Sequence, residues 1–220
     1  MKTIELHRSI TDSNDKDAER LRGELSRKGA FLINVMSSAG SGKTQLLLRI
    51  IKDISERISI GVMEADIASD VDAVVMEEAG ASSIQAHTDG MCHMDAGMTS
   101  AAIDALGEEK LPELIFLENV GNLICPAEYD TGAHKNIALL SVTEGDDKPE
   151  KYPLVFQKSD ALVITKKDVA GYTDFSFERV RDYVRFLNPD INIFEVSART
   201  GEGMDSLERW ILESVKGGAR

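Results

Sequence analysis

The chain has little positive charge and no long apolar run. Of its 220 residues, 38 are Asp or Glu and 25 are Lys or Arg, which gives a formal net charge of −13 at pH 7. A surface that follows nucleic-acid phosphates requires a basic face, so this balance argues against a nucleic-acid partner. A small anionic ligand is compatible with the same balance, because backbone amides and one lysine bind phosphates locally.

The longest apolar segments are shorter than a membrane span, and the first residues lack the apolar segment of a signal peptide. We therefore expect no membrane partner and a cytoplasmic protein. Cysteines are also scarce, since Cys92 and Cys125 are the only two. In the cytoplasm two cysteines rarely form a structural disulfide, so metal binding, catalysis and simple burial stay open for this pair.

Apolar segments that predict strands alternate along the chain with amphipathic segments that predict helices. This alternation is typical of a parallel sheet that is covered by helices on both faces. We predict an α/β fold with a mostly parallel central sheet of about seven strands. The predicted strands span residues 31–36, 58–63, 81–85, 113–118, 137–142, 161–165 and 191–196, and the predicted helices 15–28, 43–57, 71–79, 95–106, 177–187 and 204–215. The length indicates one main domain over residues 30–220, preceded by a helical lead-in over residues 1–29.

A segment rich in glycine and serine connects the first predicted strand to the helix that follows it. It matches the G-x-x-x-x-G-K-S/T pattern of a P-loop, except that Ser37 stands where the first glycine is expected. In such a loop the glycines let N–H groups turn toward phosphates, Lys43 reaches the β and γ oxygens, and Thr44 ligates Mg²⁺. An ordinary serine/glycine turn is the alternative, but the order of strand, loop and helix favours a P-loop NTPase. The predicted phosphate-binding residues are Gly40, Ser41, Gly42, Lys43, Thr44 and Gln45.

Two acidic residues follow predicted strands beside the P-loop, Asp66 after one strand and Glu118 at the end of another. Carboxylates in such positions hold the Mg²⁺ shell or orient the attacking water. We predict that both are catalytic, that Asp66 joins Thr44 as a Mg²⁺ ligand, and that the Gly121 amide senses the γ-phosphate. A solvated acid, or a helix N-cap in the case of Asp66, is the alternative.

Two motifs after the last two predicted strands favour guanine over adenine. Thr165-Lys166-Lys167-Asp168 resembles the N-K-x-D motif of GTPases with a threonine in place of asparagine, and Ser197-Ala198-Arg199 resembles their S-A-K motif. A carboxylate accepts hydrogen bonds from guanine N1–H and N2–H₂, a pair of donors that adenine lacks. Either motif alone is compatible with a charged loop, whereas both after a P-loop predict GTP. The residues assigned to the base are Lys166, Asp168, Ser197, Ala198 and Arg199.

Cys92 is followed directly by His93, and Cys125 lies four residues beyond Gly121. Two thiolates and an imidazole suit Ni²⁺ or Zn²⁺ and do not suit Mg²⁺. One chain offers too few donors for a closed four-coordinate site, whereas a two-fold dimer doubles the set. Buried cysteines without a metal are the alternative. The other histidines are assigned no metal role: His7, His87 and His134.

Four segments together closely resemble the nickel-insertion GTPases of [NiFe]-hydrogenase maturation, a SIMIBI-class P-loop family. They are the P-loop and residues 90–96, 116–126 and 143–153, and the likeness runs from about Phe31 to Trp210. The resemblance implies a Mg²⁺-dependent GTPase, producing GDP and phosphate, that acts as a nickel or zinc metallochaperone. It also implies a homodimer that GTP assembles or tightens, with Cys92, His93 and Cys125 at the interface as metal ligands.

The resemblance further implies that Asp72 and Lys151 act across this interface, and that Lys151 reaches toward the second protomer's nucleotide as a catalytic residue. The implied partners are other hydrogenase-maturation proteins and the hydrogenase large subunit. Two features depart from some relatives: Gly97 stands where they carry a further histidine, and the N-terminus has neither a Cys-x-x-Cys motif nor a histidine tract. We therefore expect coordination that relies on water or fewer side chains, and no separate nickel store.

Two other functions stay open. A urease-maturation GTPase shares the fold and the nickel task but matches less well around Cys92. A regulatory GTPase with zinc as a structural clamp belongs to another class. Metal retention separates the two classes, because a clamp holds zinc through the whole nucleotide cycle whereas the metal affinity of a chaperone changes with it.

Overall fold

The centre of the molecule is a parallel sheet. The structure, a computed structural model, describes residues 6–65, 70–88, 90–107 and 110–218. Seven strands lie within these residues: Phe31–Ser37 (β1), Ile60–Glu64 (β2), Ser82–Gln85 (β3), Leu114–Gly121 (β4), Lys135–Ser141 (β5), Ala161–Thr165 (β6) and Asn192–Glu195 (β7). They lie in the order β3-β2-β4-β1-β5-β6-β7, and each neighbouring pair is parallel. The predicted α/β P-loop NTPase fold is confirmed.

The central strands are buried on both faces. Along β1, Ile33 and Val35 belong to one buried cluster, whereas Leu32 belongs to another on the opposite face. Phe116 and Leu117 of β4 alternate in the same way. Successive side chains of a strand point to opposite faces, so a sheet with two covered faces requires uninterrupted apolar runs. The central strands could therefore be predicted from their apolar runs in the sequence.

Helices cover both faces of the sheet. They are Leu6–Arg27 (α1), Lys43–Ile54 (α2), Asp70–Glu78 (α3), Ala96–Leu106 (α4), Cys125–Glu128 (α5), Lys148–Lys151 (α6), Pro153–Gln157 (α7), Phe177–Leu187 (α8) and Met204–Gly218 (α9). Buried residues of α2 and α9 pack on one face, and those of α1, α4 and α8 pack on the other. None of the helices among the described residues combines the length and apolar character that a membrane span requires.

The structure differs from the sequence predictions mainly at the ends of helices and in the loops. Helix α1 begins at Leu6 and not near Asp15, and α2 ends at Ile54 and not at Arg57. Between β5 and β6, where no helix was predicted, lie the short helices α6 and α7 and a 3-10 turn over Val142–Glu144, and a second 3-10 turn over Lys167–Tyr172 follows β6. Helices of four or five residues show no apolar periodicity, which is why the sequence does not reveal them.

The first helix packs against the sheet and α4. Its Leu21 and Leu25 are buried in the same cluster as residues of β1 and β4. The Arg22 guanidinium donates to both carboxylate oxygens of Asp130, at 2.8 and 2.7 Å. These contacts connect α1 to the segment that follows α5. The proposed division into residues 1–29 and 30–220 stays a prediction.

Candidate functional site

The loop between β1 and α2 has the backbone of a phosphate-binding loop. Gly40 and Gly42 have φ angles of 77° and 95°, which glycine adopts without strain. Gly42 immediately precedes α2, whose first residue is Lys43. The loop therefore ends at a helix N-terminus, where free N–H groups and the helix dipole favour an anion.

Ser37 acts as a hydrogen-bonding centre inside this loop. Its hydroxyl oxygen accepts from the Ser41 hydroxyl at 2.6 Å and from Lys43 Nζ at 3.1 Å. Ser37 and Ser41 are fully buried, and Lys43 is largely buried. The serine that stands in place of the first glycine therefore fixes the side chain of the lysine predicted to bind phosphate.

Two oxygen atoms that could coordinate a metal ion lie close together where the P-loop meets β4. The Thr44 hydroxyl donates to Glu118 Oε1 at 3.0 Å, and Glu118 is nearly buried near the end of β4. A hydroxyl and a carboxylate are oxygen ligands of the kind that Mg²⁺ prefers, so this pair fits the predicted ion. Asp66, the other predicted Mg²⁺ ligand, lies outside the described residues.

Gly121 lies against the P-loop. It ends β4 and pairs in register with Ser37 of β1. A Cβ added to Gly121 would lie 3.1 Å from both the Cα and the N of Ala39. A larger residue would push the two segments apart by a few tenths of an ångström, so glycine favours this close approach. The predicted γ-phosphate sensor is thus placed next to the loop, and its sensing role stays a prediction.

The segment after β6 is bonded to the P-loop. The Thr165 hydroxyl donates to the Ser41 carbonyl at 2.7 Å, and Lys166 Nζ donates to the Gly40 carbonyl at 2.8 Å. Lys166 has a φ angle of 58°, and among the described residues it is the only one other than glycine with a positive φ. The threonine that replaces the asparagine of the N-K-x-D motif therefore makes its own contact with the loop.

Asp168 is held by the other predicted guanine motif. Its carboxylate accepts from the Ser197 hydroxyl at 2.6 Å and from Arg199 Nε at 2.9 Å. The bond from Ser197, and after it the bond from Arg199, lower the pKa of Asp168 below its ordinary value. The carboxylate is therefore ionised at neutral pH and keeps free lone pairs for further donors.

A cavity of about 400 Å³ lies between the P-loop and these base motifs. Seven of the residues predicted to bind nucleotide line it: Ser41, Gly42, Gln45, Lys166, Asp168, Ala198 and Arg199. Leu46 and Val169 also line it, and sequence analysis did not identify them. Leu46 directly follows Gln45 and Val169 directly follows Asp168, and both Gln45 and Asp168 are predicted site residues. An apolar residue next to a predicted site residue could therefore have been predicted to line the cavity. Apolar walls with a few polar groups are typical of ligand sites.

The three predicted ligands of the soft metal converge within one chain. The nearest donor atoms of Cys92, His93 and Cys125 all lie within 4.8 Å of one another. Cys92 is exposed in the loop before α4, and Cys125 is the first residue of α5. The buried His93 ring stacks on Tyr129 with a centroid distance of 4.0 Å. Tyr129 was not identified from the sequence, because an aromatic side chain four residues after Cys125 carries no metal signal of its own.

The protonation of this cluster follows from its surroundings. A hydrogen bond with the Cys92 thiol, followed by burial, raises the pKa of Cys125 above its ordinary value. Burial lowers the pKa of His93, an effect that Asp95 and Glu128 oppose. A neutral His93 imidazole next to a protonated Cys125 thiol is a state from which a metal ion would displace a proton.

The remaining predicted residues lie elsewhere. Lys151 is exposed at the end of α6 and forms an ion pair with Asp147 of its own chain. Asp72 belongs to α3. Gly97 lies exposed in the first turn of α4, where an added Cβ would come 3.4 Å from Asp95 Oδ1. Roles for Asp72 and Lys151 across a dimer interface stay predictions.

Comparison with known proteins identifies the family. Residues 31–195 match the family described as CobW/HypB/UreG, nucleotide-binding domain. The chain belongs to this family. It is 42% identical over 212 residues to "Hydrogenase maturation factor HypB" of Rhizobium leguminosarum bv. viciae, which covers 96% of this chain and 71% of that protein. It is 34% identical over 213 residues to "Probable hydrogenase maturation factor HypB" of Methanocaldococcus jannaschii, covering 97% and 96%.

A solved structure agrees with these matches. HypB from Helicobacter pylori in complex with nickel is 34% identical, covers 94% of this chain and 97% of that chain, and has a TM-score of 0.88. Within its family, the chain therefore groups with the HypB hydrogenase maturation factors. The resemblance to the GTPases of hydrogenase maturation, which the four sequence segments predicted, is confirmed.

Proposed function

We propose that this chain is a GTP-hydrolysing metallochaperone that binds nickel or zinc at a Cys/His site on a dimer interface and assists nickel insertion into [NiFe]-hydrogenase. One observation carries the proposal: β4 and the residues that follow it join the two candidate sites. Glu118 bonds to Thr44 and Gly121 lies against Ala39, whereas Cys125, four residues further on, belongs to the metal cluster. Movement of one segment therefore affects both sites.

The phosphate side uses groups that are already in place. Lys43 and the amides at the start of α2 bind the phosphates, and Gly121 contributes a backbone amide near the γ-phosphate. Thr44 and Glu118 would hold Mg²⁺ together with Asp66, and the bound ion would neutralise charge on the phosphates. Glu118 also orients the attacking water. The contribution of these groups is positioning and electrostatic stabilisation.

The base side selects guanine. The ionised carboxylate of Asp168 accepts from guanine N1–H and N2–H₂, and the bonds from Ser197 and Arg199 hold it in place. The stem of Lys166 and the apolar Val169 and Leu46 form the walls of the cavity. Adenine lacks these two donors, so ATP would leave the Asp168 carboxylate without the two hydrogen bonds that guanine supplies.

The metal is cargo. Two thiols and an imidazole are a soft set, and three donors do not close a tetrahedral site. The exposure of Cys92 leaves it accessible to a second copy of the chain. In a GTP-bound homodimer the two copies would contribute six donors, and Lys151 and Asp72 would act across the interface. Transfer partners are other hydrogenase-maturation proteins and the hydrogenase large subunit, and the setting is the cytoplasm.

The test combines nucleotide choice with metal retention. GTP and ATP affinities and Mg²⁺-dependent hydrolysis are measured on the purified protein, and bound nickel or zinc is then quantified after loading with GDP or with a non-hydrolysable GTP analogue. We expect a preference for GTP and a metal affinity that differs between the two nucleotide states. Equal affinity for ATP and GTP would contradict the GTPase assignment, and zinc held unchanged in both states would indicate a structural clamp.

A further inference from the structure

Three asparagine side chains form a hydrogen-bonded chain across the middle of the sheet. Asn34 Nδ2 of β1 donates to Asn136 Oδ1 of β5 at 3.0 Å, and Asn119 Nδ2 of β4 donates to Asn34 Oδ1 at 3.0 Å. Asn34 and Asn119 are each only 1% exposed. A buried amide costs free energy unless its donors and acceptors are bonded, so this chain fixes the orientation of the Asn119 side chain.

The oxygen end of Asn119 lies between the two candidate sites. Asn119 Oδ1 accepts from the backbone N of Val120 at 2.9 Å and from the backbone N of Met94 at 3.3 Å. Val120 lies between Glu118 and Gly121 on the nucleotide side, and Met94 directly follows His93 on the metal side. A single carbonyl oxygen is thus shared by backbone from both sites.

We propose that Asn119 is the positioning residue through which the nucleotide state reaches the metal cluster. This inference rests on the proposed function, in which GTP and metal affinities are linked. The nitrogen end of Asn119 is pinned by Asn34, on the strand that leads into the P-loop at Ser37. If a bound γ-phosphate draws Gly121 and Val120 toward the P-loop, Asn119 Oδ1 must change its orientation or lose its hydrogen bond from Met94 N. The backbone beside His93 then shifts relative to Cys125.

The test compares ratios of affinities. Nickel affinity is measured with bound GDP and with a bound non-hydrolysable GTP analogue, for the wild type and for Asn119→Leu, whose side chain has the same number and branching of heavy atoms and no polar atom. We expect a ratio of about 5–150 between the two states of the wild type. In Asn119→Leu the ratio should fall close to one, while nucleotide affinity and nickel affinity in the GDP state stay near wild type. A purely structural role would lower both nickel affinities and keep their ratio.

Asn14→Ala provides a matched control. Asn14 Oδ1 accepts from Ala96 N at 3.0 Å and its Nδ2 donates to the Asp130 carbonyl at 2.9 Å. From α1 it therefore connects the segment after His93 to the segment after Cys125, and the described contacts of its side chain do not include β4. We expect this variant to change nickel affinity by the same factor in both nucleotide states, so that the ratio is preserved.

A second variant covers the case in which Asn119→Leu does not fold, as judged by circular dichroism. Asn34→Ala keeps the bond between Asn119 and Met94 and removes the pin, and we expect a reduced ratio. The inference is overturned if the folded variants keep the wild-type ratio, and this outcome leaves the proposed function intact. A wild-type ratio of one overturns both the inference and the proposed linkage, so the two failures are distinguishable.

Discussion

The guanine side and the metal side of the molecule are held in different ways. At the guanine side, Thr165 bonds to Ser41 and so connects the P-loop to the first base motif, and Ser197 and Arg199 both bond to Asp168 and so connect the two base motifs to each other. At the metal side, the three donors converge from a loop and a short helix, and Cys92 is exposed. The guanine site is organised within a single chain, whereas the metal site is open to solvent at Cys92.

This difference has a functional consequence. A site organised before binding loses little conformational freedom when its ligand arrives, so its affinity is intrinsic to the fold. A site with three donors gains affinity only when further ligands arrive or when its segments move. The nucleotide site is therefore suited to drive the cycle, and the metal site to respond to it.

The comparison concerns how the guanine site is held for binding; for hydrolysis, by contrast, we expect the nucleotide site to require a charge from a second chain. We expect Lys151→Ala to slow GTP turnover by up to about 10³-fold, as the loss of a charge supplied in trans does in other GTPases. Turnover is measured by phosphate release, and the oligomeric state with bound analogue by light scattering. Lys43→Ala sets the floor of the assay, and Lys158→Ala, another exposed lysine, should behave as wild type. Normal hydrolysis and dimerisation of Lys151→Ala would show that the cross-interface role is wrong.

Removing one cysteine ligand tests the location of the metal site. Cys125→Ala and Cys92→Ala should each weaken nickel binding by at least the roughly 10–100-fold that a change in the surroundings of a ligand costs. Nickel affinity is measured by titration against a competing chelator. His87→Ala removes a histidine outside the cluster and should bind as wild type does. Binding that survives both cysteine substitutions would place the metal elsewhere.

The guanine side should respond to loss of one charge. Asp168→Asn removes the carboxylate that accepts from guanine, and we expect GTP affinity to fall by about 1.5–3 kcal/mol, the contribution of a hydrogen bond to a charged group. Xanthosine triphosphate should then be preferred, because its base offers an acceptor where guanine has a donor. Asp174→Asn changes an exposed acid in the following loop and serves as the control. An unchanged preference for GTP in Asp168→Asn would refute the base assignment.

The smallest expected effect is on protein stability, and it concerns Arg49, Asp53 and Glu208, which lie next to the segment that contains Ala198. Arg49 bonds to Asp53 and to the Ala198 carbonyl, and Glu208 of α9 lies beside Asp53. Burial, followed by a hydrogen bond with Asp53, raises the pKa of Glu208 from 4.5 to about 7. The folded state therefore holds this proton more tightly than the unfolded state, and stability falls as pH rises from about 4.5 to 7.

Glu208→Gln keeps a neutral side chain at every pH. We expect the variant to be more stable than wild type by about 1–3 kcal/mol at pH 8, and equally stable at pH 4, as measured by thermal unfolding. Glu213→Gln, an exposed position on the same helix, controls for the change in net charge. Equal stability of Glu208→Gln and wild type at pH 8 would mean that the carboxyl group is ionised there at little cost.

The sequence predicted the central strands and the identity of the P-loop because both depend on local properties. Strands buried on two faces require apolar runs, and a phosphate loop requires glycines and a lysine at fixed spacing. The alternating pattern also indicated a parallel sheet. Helix ends were less accurate, since residues 6–14 are polar apart from Leu6 and Ile10 and this pattern indicates a polar lead-in.

Contacts between distant segments could not be predicted in the same way. The bond from Thr165 to Ser41 depends on how the loop after β6 meets the P-loop. The asparagine chain depends on β1 lying between β4 and β5, an order that differs from the order in sequence. Such side chains carry no motif, because their role comes from the register of strands that are far apart along the chain.

The central claim is that the nucleotide site drives the metal site, and one pair of titrations tests it most directly. Nickel is titrated into the protein loaded with GDP or with a non-hydrolysable GTP analogue, and the analogue is titrated into protein with and without nickel. Linkage requires the same factor in both directions, and we expect about 5–150-fold. Identical nickel affinity in the two nucleotide states, together with identical analogue affinity with and without nickel, would contradict the account.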